Sequence, residues 1–194
     1  MTDFPNWFDV TAKDNFEKYV PSVPNLKVLQ IGVYTGDATE WLLNSRDIKA
    51  LIDVDTWGGS GEEGHETIDF TAVGAHYDKR FAGKFDKEGP IEKHKMDSDA
   101  FFEEERSFIG SDAAIEYDFI YIDGDHTATQ TALDGLNAFQ FLTKGGVIAF
   151  DDLTWRSGKG RFYDPLPGIE AFQHVCHEQV ELIVANSQAW FKKK

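Results

Sequence analysis

The sequence has one cysteine, Cys176, in 194 residues, so no disulfide can close within the chain. With Phe172 and Val175 beside it, that thiol is expected to be a buried structural group rather than a nucleophile. Basic residues are scarce: 19 Lys and Arg stand against 34 Asp and Glu, a formal net charge of −15. Such a surface repels phosphate backbones and anionic lipid, so neither nucleic acid nor a membrane is expected as a partner. No apolar run approaches the ~20 residues of a membrane span. The opening MTDFPNWFDV has no basic region ahead of an apolar stretch, which argues against a signal peptide. A cytoplasmic location is the expectation. Internal repeats and low-complexity tracts are also missing.

What the chain does have is apolar material. Its hydrophobic share is 41% and its aromatic share 14%, enough for a sizeable core. The length fits one domain. Residues 1–26 read as a lead-in, with Phe4, Trp7 and Phe8, a helical pattern over Thr11–Tyr19, and then Pro21 and Pro24. Residues 27–194 read as a single α/β domain.

Strands are expected at Lys27–Ile31, Ala50–Val54, Ile91–His94, Tyr117–Ile122 and Val147–Phe150. The fourth, YDFIYI, is the clearest. Helices are expected over Asp37–Asn44, Asp69–Phe81, Ala100–Ile109 with Asp99 as a cap, Thr129–Leu142 with Gly145 as a left-handed stop, and Gly168–His177. Val180–Ala185 and Gln188–Phe191 flank Asn186-Ser187 like a hairpin. Strands alternating with helices imply a mostly parallel, seven-stranded sheet with helices on both faces. The hairpin adds an antiparallel edge.

In such sheets ligands sit beyond the carboxyl ends of the strands. Gly32 and Gly36 follow the first strand in a G-x-x-x-G spacing, not the G-x-G-x-x-G of dinucleotide enzymes. Glycines there let a ligand approach the backbone; glycine ending a strand for structural reasons is the competing reading. Asp53 and Asp55 lie at the second strand end, where a carboxylate can accept both hydroxyls of a ribose. The two signals together point to an adenosine-containing ligand. Met96-Asp97-Ser98 forms a polar turn after the third strand. Asp123-Gly124-Asp125-His126 and Asp151-Asp152 follow the fourth and fifth. Acids crowded into one cleft raise each other's pKa and are tolerated where a cation or a reacting proton uses them. Their oxygen ligands suit a hard divalent ion, Mg²⁺ or Ca²⁺. Helix capping by Asp125 and a solvated Asp152 are the structural alternative.

The stretches VLQIGVYTGDATEWL, LIDVDTW and YDFIYIDGDHTATQTALDGLNAFQFLTKGGVIAFDDLTW resemble the class I S-adenosylmethionine-dependent methyltransferases, with their Rossmann-like fold. More narrowly, they are similar to small-molecule O-methyltransferases of the macrocin type, and more distantly to catechol and caffeoyl-CoA methyltransferases. The resemblance covers residues 27–194. It implies that Gly32 and Gly36 face the methionine part of the cofactor. It implies that Asp55 holds the ribose, with Asp53 as runner-up, and that Asp97 and Ser98 lie beside the adenine. Asp123, also counted with the cofactor-binding residues, falls with Asp151 and Asp152 where metal-dependent relatives hold a divalent ion, Mg²⁺ the candidate. His126 falls where they place the general base. Gln30 departs from the family's usual acid at the end of the first strand.

Two loops should shape the substrate pocket. One is 57–67, a candidate lid with Glu62, Glu63 and His65. The other carries Trp155, Arg156, Lys159 and Arg161, which either receive an anionic group or balance local acids. Trp7 and Phe8 either cap the cleft or pack on the sheet edge. His76, His94, His174 and His177 show no metal-ligand spacing. The leading expectation is an enzyme methylating a small hydroxylated molecule. The alternatives are a non-catalytic cofactor-binding protein, for which Gln30 is the hint, and a metal-dependent hydrolase built on the Asp/His cluster. The glycine spacing disfavours a nicotinamide oxidoreductase. The oligomeric state stays open, a homo-oligomer included.

Overall fold

A computed structural model of the chain describes residues 4–59, 67–85, 89–111 and 114–194. Among these residues seven strands form one sheet: β1 (Leu26–Ile31), β2 (Ile48–Asp55), β3 (Ile91–Lys95), β4 (Tyr117–Ile122), β5 (Leu142–Phe150), β6 (Val180–Ala185) and β7 (Ala189–Lys193). Between them lie α1 (Phe8–Thr11), α2 (Lys13–Tyr19), α3 (Asp37–Ser45), α4 (Phe70–Arg80), α5 (Ser98–Arg106), α6 (Ala128–Phe139) and α7 (Leu166–Cys176). The spatial order is β3-β2-β1-β4-β5-β7-β6. The first five pair in parallel, and β7 runs antiparallel to both β5 and β6. The order reverses between β1 and β4, and that reversal opens a crevice at their carboxyl ends.

Side chains alternate across a strand, so the near-continuous apolar strands feed two cores. Leu29, Ile31, Ile52, Val54, Ile120, Ile122, Ile148 and Phe150 pack against Phe101 and Phe102 of α5, Phe139 of α6 and Phe172 of α7. Cys176 is buried in this layer, as expected of a structural thiol. On the other face, Val28, Leu51, Phe119, Tyr121 and Trp190 meet Phe16 of α2, Leu42 of α3, and Val73 and Tyr77 of α4. Among the described residues no helix is long and apolar enough to cross a membrane.

The caps follow local chemistry, with two corrections. Asp97, not Asp99, caps α5, its side chain accepting from the Ala100 N–H at 2.8 Å. An acid in the extended residue just ahead of the helix reaches its orphan N–H groups, whereas Asp99 is already inside the first turn. Helix α6 stops at Phe139, before Gly145. The chain joins the sheet at Leu142, which is drawn wholly into the core and pairs with Tyr117. Gly145 therefore lies in β5, at φ +83°, where the strand's register with β4 shifts.

Phe16 carries the lead-in onto the sheet. Its ring is fully buried, with its centroid 4.8 Å from that of Tyr121 and 5.5 Å from those of Phe119, Trp41 and Trp190. Phe16→Ala is expected to lower unfolding stability by ~3–5 kcal/mol in a denaturant titration. A loss below about 1 kcal/mol would show that α2 contributes little to the core.

Candidate active site

Strand register builds the site. Ile31 pairs with Val54 on one side and Ile122 on the other, and Ile122 pairs with Phe150. The next residues, Gly32, Asp55, Asp123 and Asp151, therefore stand in a row along one sheet edge. They line a cleft of about 640 Å³ with Asp97, Ser98, His126 and Asp152. That volume suits a small molecule or cofactor.

Gly32 is dictated by crowding as well as by any ligand. At φ +82°, a Cβ there would sit 1.9 Å from the Asp123 carbonyl oxygen. Asp55 organises the turn beyond it: one carboxylate oxygen accepts from the Val33 and Tyr34 N–H groups at 2.8 and 2.9 Å, the other from Trp57 N–H at 2.6 Å. The oxygen that accepts from Trp57 keeps a further lone pair for a ligand hydroxyl. Arg80 of α4 clamps the same turn, donating to the Thr35 carbonyl at 3.1 Å and to Asp37 at 2.6 Å.

Two expected cofactor contacts lie elsewhere. Gly36 heads α3 but is pressed against α4, where a Cβ would meet the Phe81 ring at 2.4 Å. It does not line the cleft. Asp53 is fully buried beneath it, accepting from Gln30 Nε2 at 2.6 Å, Thr39 Oγ1 at 2.8 Å and the Tyr77 hydroxyl at 2.5 Å. Burial pushes the Asp53 carboxyl up to about 6, against the pull of those donors. Gln30 likewise turns to Asp53 and Thr39 and does not reach the cleft. Pleat parity puts both side chains on the α4 face.

Across the cleft, the sequence reading missed Asp134. This α6 carboxylate is 1% exposed and accepts from Ser98 Oγ at 2.6 Å and Gln130 Nε2 at 3.0 Å through one oxygen. Its second oxygen has no hydrogen-bond partner among the described residues and faces Gly124. Burial raises this carboxyl to about 6. No local signal marks an acid in mid-helix; only the docking of α5 on α6 brings Ser98 to it.

At the β4 and β5 ends, His126 Nε2 lies 3.1 Å from Asp152 and 3.8 Å from Asp123. One donor atom from each of Asp123, His126 and Asp152 falls within a 4.8 Å group. His126 is also packed on Trp155, ring centroids 5.1 Å apart. Burial in the cleft floor, then the Asp151 and Asp152 carboxylates, hold Asp123 well above the ordinary carboxylate range, with His126 opposing. Asp151 lines the cleft but turns aside: Tyr121 donates its hydroxyl to one oxygen, and the Asp152 N–H donates to the other at 2.7 Å. The convergent set is therefore Asp123, His126 and Asp152, where the sequence reading grouped Asp123 with Asp151 and Asp152. Asp125 bonds the Thr127 N–H at 2.7 Å, and Thr127 rather than Asp125 caps α6.

The lead-in supplies a wall through Trp7, Phe8 and Thr11, with Tyr34 and Phe70 beside them. The cations of the other loop do not line the cleft. Arg156 donates to the Leu153 and Trp155 carbonyls, and Arg161 pairs with Glu170 at 3.0 Å. The lid residues Glu62, Glu63 and His65 lie outside the described residues.

This topology, with a glycine turn after β1, an acid at the end of β2 and a polar cleft at the switch point, defines a class I methyltransferase fold. A family model described as a methyltransferase domain matches residues 29–153, and the chain belongs to that family, the S-adenosylmethionine-dependent methyltransferases. Solved structures agree in fold. MycE methyltransferase from the mycinamycin biosynthetic pathway, in complex with Mg and SAH, is 17% identical with TM-score 0.58, the match spanning 98% of this chain and 50% of MycE. TomG, an O-methyltransferase from Streptomyces achromogenes in complex with SAM, is 12% identical with TM-score 0.58, covering 87% of this chain and 73% of that one. The N-methyltransferase NodS from Bradyrhizobium japonicum WM9 is 17% identical with TM-score 0.52, covering 92% and 89%. A comparison with curated protein sequences finds no match.

The raised Asp134 pKa makes a stability statement. The folded state holds this proton up to about 6, the unfolded chain only to 3.8, so its contribution is full below about 4 and is lost as pH rises through 6. Asp134→Asn keeps an acceptor for Ser98 and Gln130 without the buried charge. Unfolding midpoints of the variant are expected to fall less than the parent's between pH 4 and 7. Parallel profiles would contradict this.

Proposed function

We propose that the chain transfers the methyl group of S-adenosylmethionine to a hydroxyl oxygen of a small molecule, with His126 as proton acceptor. The observation that carries this reading is the convergence of Asp123, His126 and Asp152 in the cleft that Gly32, Asp55, Asp97 and Ser98 also line. Attack forms an oxygen–methyl bond and breaks the sulfonium carbon–sulfur bond, leaving the thioether. The hydroxyl proton passes to the His126 imidazole, a base suited to neutral pH. Asp152 at 3.1 Å stabilises the imidazolium that results. Asp55, fixed by three backbone N–H groups, would accept a ribose hydroxyl through the oxygen that bonds Trp57.

The donor set fits a divalent ion: two carboxylates and an imidazole within one small group, the carboxylates otherwise in mutual repulsion. Asp123 and Asp152 would hold it, and Mg²⁺ matches their hard oxygens. Such an ion supplies a lowered pKa at an acceptor hydroxyl. The position of Nε2 near both carboxylates supports a second reading, in which His126 is a ligand rather than the base.

Calorimetric titration tests the proposal. The parent is expected to bind S-adenosylmethionine, whereas a hydrolase would bind Mn²⁺ without it. Gln30, the hint of a non-catalytic cofactor-binding protein, donates to Asp53 and Thr39 and does not line the cleft. On a hydroxylated acceptor panel, His126→Ala should lower turnover by about 10²-fold or more while S-adenosylmethionine and Mn²⁺ affinities hold. Loss of Mn²⁺ affinity would move His126 to the ligand set, and near-normal turnover would remove it from the mechanism.

A further inference from the structure

Asp151 stands beside the convergent set yet outside it, and the reason is a directed chain of hydrogen bonds. Trp190 has only an N–H to give, and it donates to Gln188 Oε1 at 2.9 Å. Asn15 Nδ2 from α2 donates to the same oxygen at 2.8 Å. The orientation of the Gln188 amide is thereby fixed, with its nitrogen facing the Tyr121 hydroxyl oxygen at 3.4 Å. The Tyr121 oxygen accepts there, so its own proton goes to Asp151. The remaining Asp151 oxygen takes the Asp152 N–H at 2.7 Å. Both oxygens of Asp151 are acceptors, and all five side chains are at most 8% exposed.

The consequence falls on Asp152. It adopts φ +55°, a left-handed conformation that non-glycine residues avoid unless their surroundings impose it. In that conformation its carboxylate meets His126 at 3.1 Å and its carbonyl accepts the Trp155 N–H at 3.0 Å. An extended Asp152 would aim its side chain elsewhere.

We propose that Tyr121 and Asp151 are positioning residues: they hold Asp152 in the conformation that presents its carboxylate to His126, and Gln188 and Asn15 set the direction of the hydrogen bonds that do so. The assignment rests on the reading of Asp123, His126 and Asp152 as the working set. It gives the lead-in helix α2 and the closing hairpin a part in the site, since Asn15 comes from one and Gln188 from the other.

The test uses the full chain with Tyr121→Phe, which removes one hydroxyl. Its crystal structure is expected to show Asp152 out of the left-handed region and its carboxylate withdrawn from His126. Its Mn²⁺ dissociation constant is expected to rise about tenfold or more, the usual result of losing an outer partner of a ligand. S-adenosylmethionine affinity should stay within about twofold, because Asp55 and the β1 turn are untouched. Asp151→Ala is the second variant, needed if Tyr121→Phe does not fold. It removes both acceptor oxygens, so the same displacement and the same loss are expected. Asp152 unmoved beside His126, with parental Mn²⁺ affinity, overturns the proposal. If the parent itself takes up no Mn²⁺, the metal part of the proposed function fails, and the position of Asp152 in the variants decides the positioning role alone.

Discussion

Three carboxylates, Asp123, Asp151 and Asp152, are forced together where β4 and β5 end in register, and their mutual repulsion governs how that edge is built. Each acid is dealt with differently. Asp151 is given two donors and withdrawn. Asp152 is turned by its own left-handed backbone toward the imidazole. Asp123 remains at the cleft floor with its pKa pushed up. Burial and repulsion both disfavour charge on Asp123, and His126 is the group that opposes them. A reaction that generates an imidazolium, or an ion of opposite sign, can use that charge.

The remainder of the fold keeps those positions fixed. Two apolar layers grip the sheet from both sides, and α2 extends one of them through Phe16. Arg80 locks the β1–α3 turn from α4, and Asp55 locks it from β2. The cleft therefore has one wall set by backbone amides and another by titratable groups. Under the proposed function the first would take the cofactor and the second the acceptor.

Much of this was legible in the sequence. YDFIYI announced β4, and alternating strands and helices announced the parallel sheet. Eight of the ten site residues expected from the sequence line the cleft: Gly32, Asp55, Asp97, Ser98, Asp123, His126, Asp151 and Asp152. The differences share a cause. Strand-end position puts Asp53 and Asp151 near the cleft, but which way each carboxylate faces depends on Tyr77 and Tyr121, residues 24 and 30 positions away. Gly36 follows β1 in a G-x-x-x-G spacing, and the family resemblance implies a ligand-facing glycine there, whereas Phe81 claims the space beside it. Asp134 went unseen because its partner Ser98 is 36 residues distant. Local pattern gives secondary structure and strand ends; it does not give the direction of a side chain that a distant helix decides.

The most direct measurement is a crystal structure grown with S-adenosylhomocysteine and Mn²⁺, with anomalous scattering to locate the ion. Cofactor density is expected along Gly32 and Asp55, and an anomalous peak touching Asp123 and Asp152, with Asp151 still on Tyr121. Cofactor density elsewhere would contradict the reading of this cleft as the cofactor site, and an ion bound through Asp151 would contradict the separate roles of the three acids.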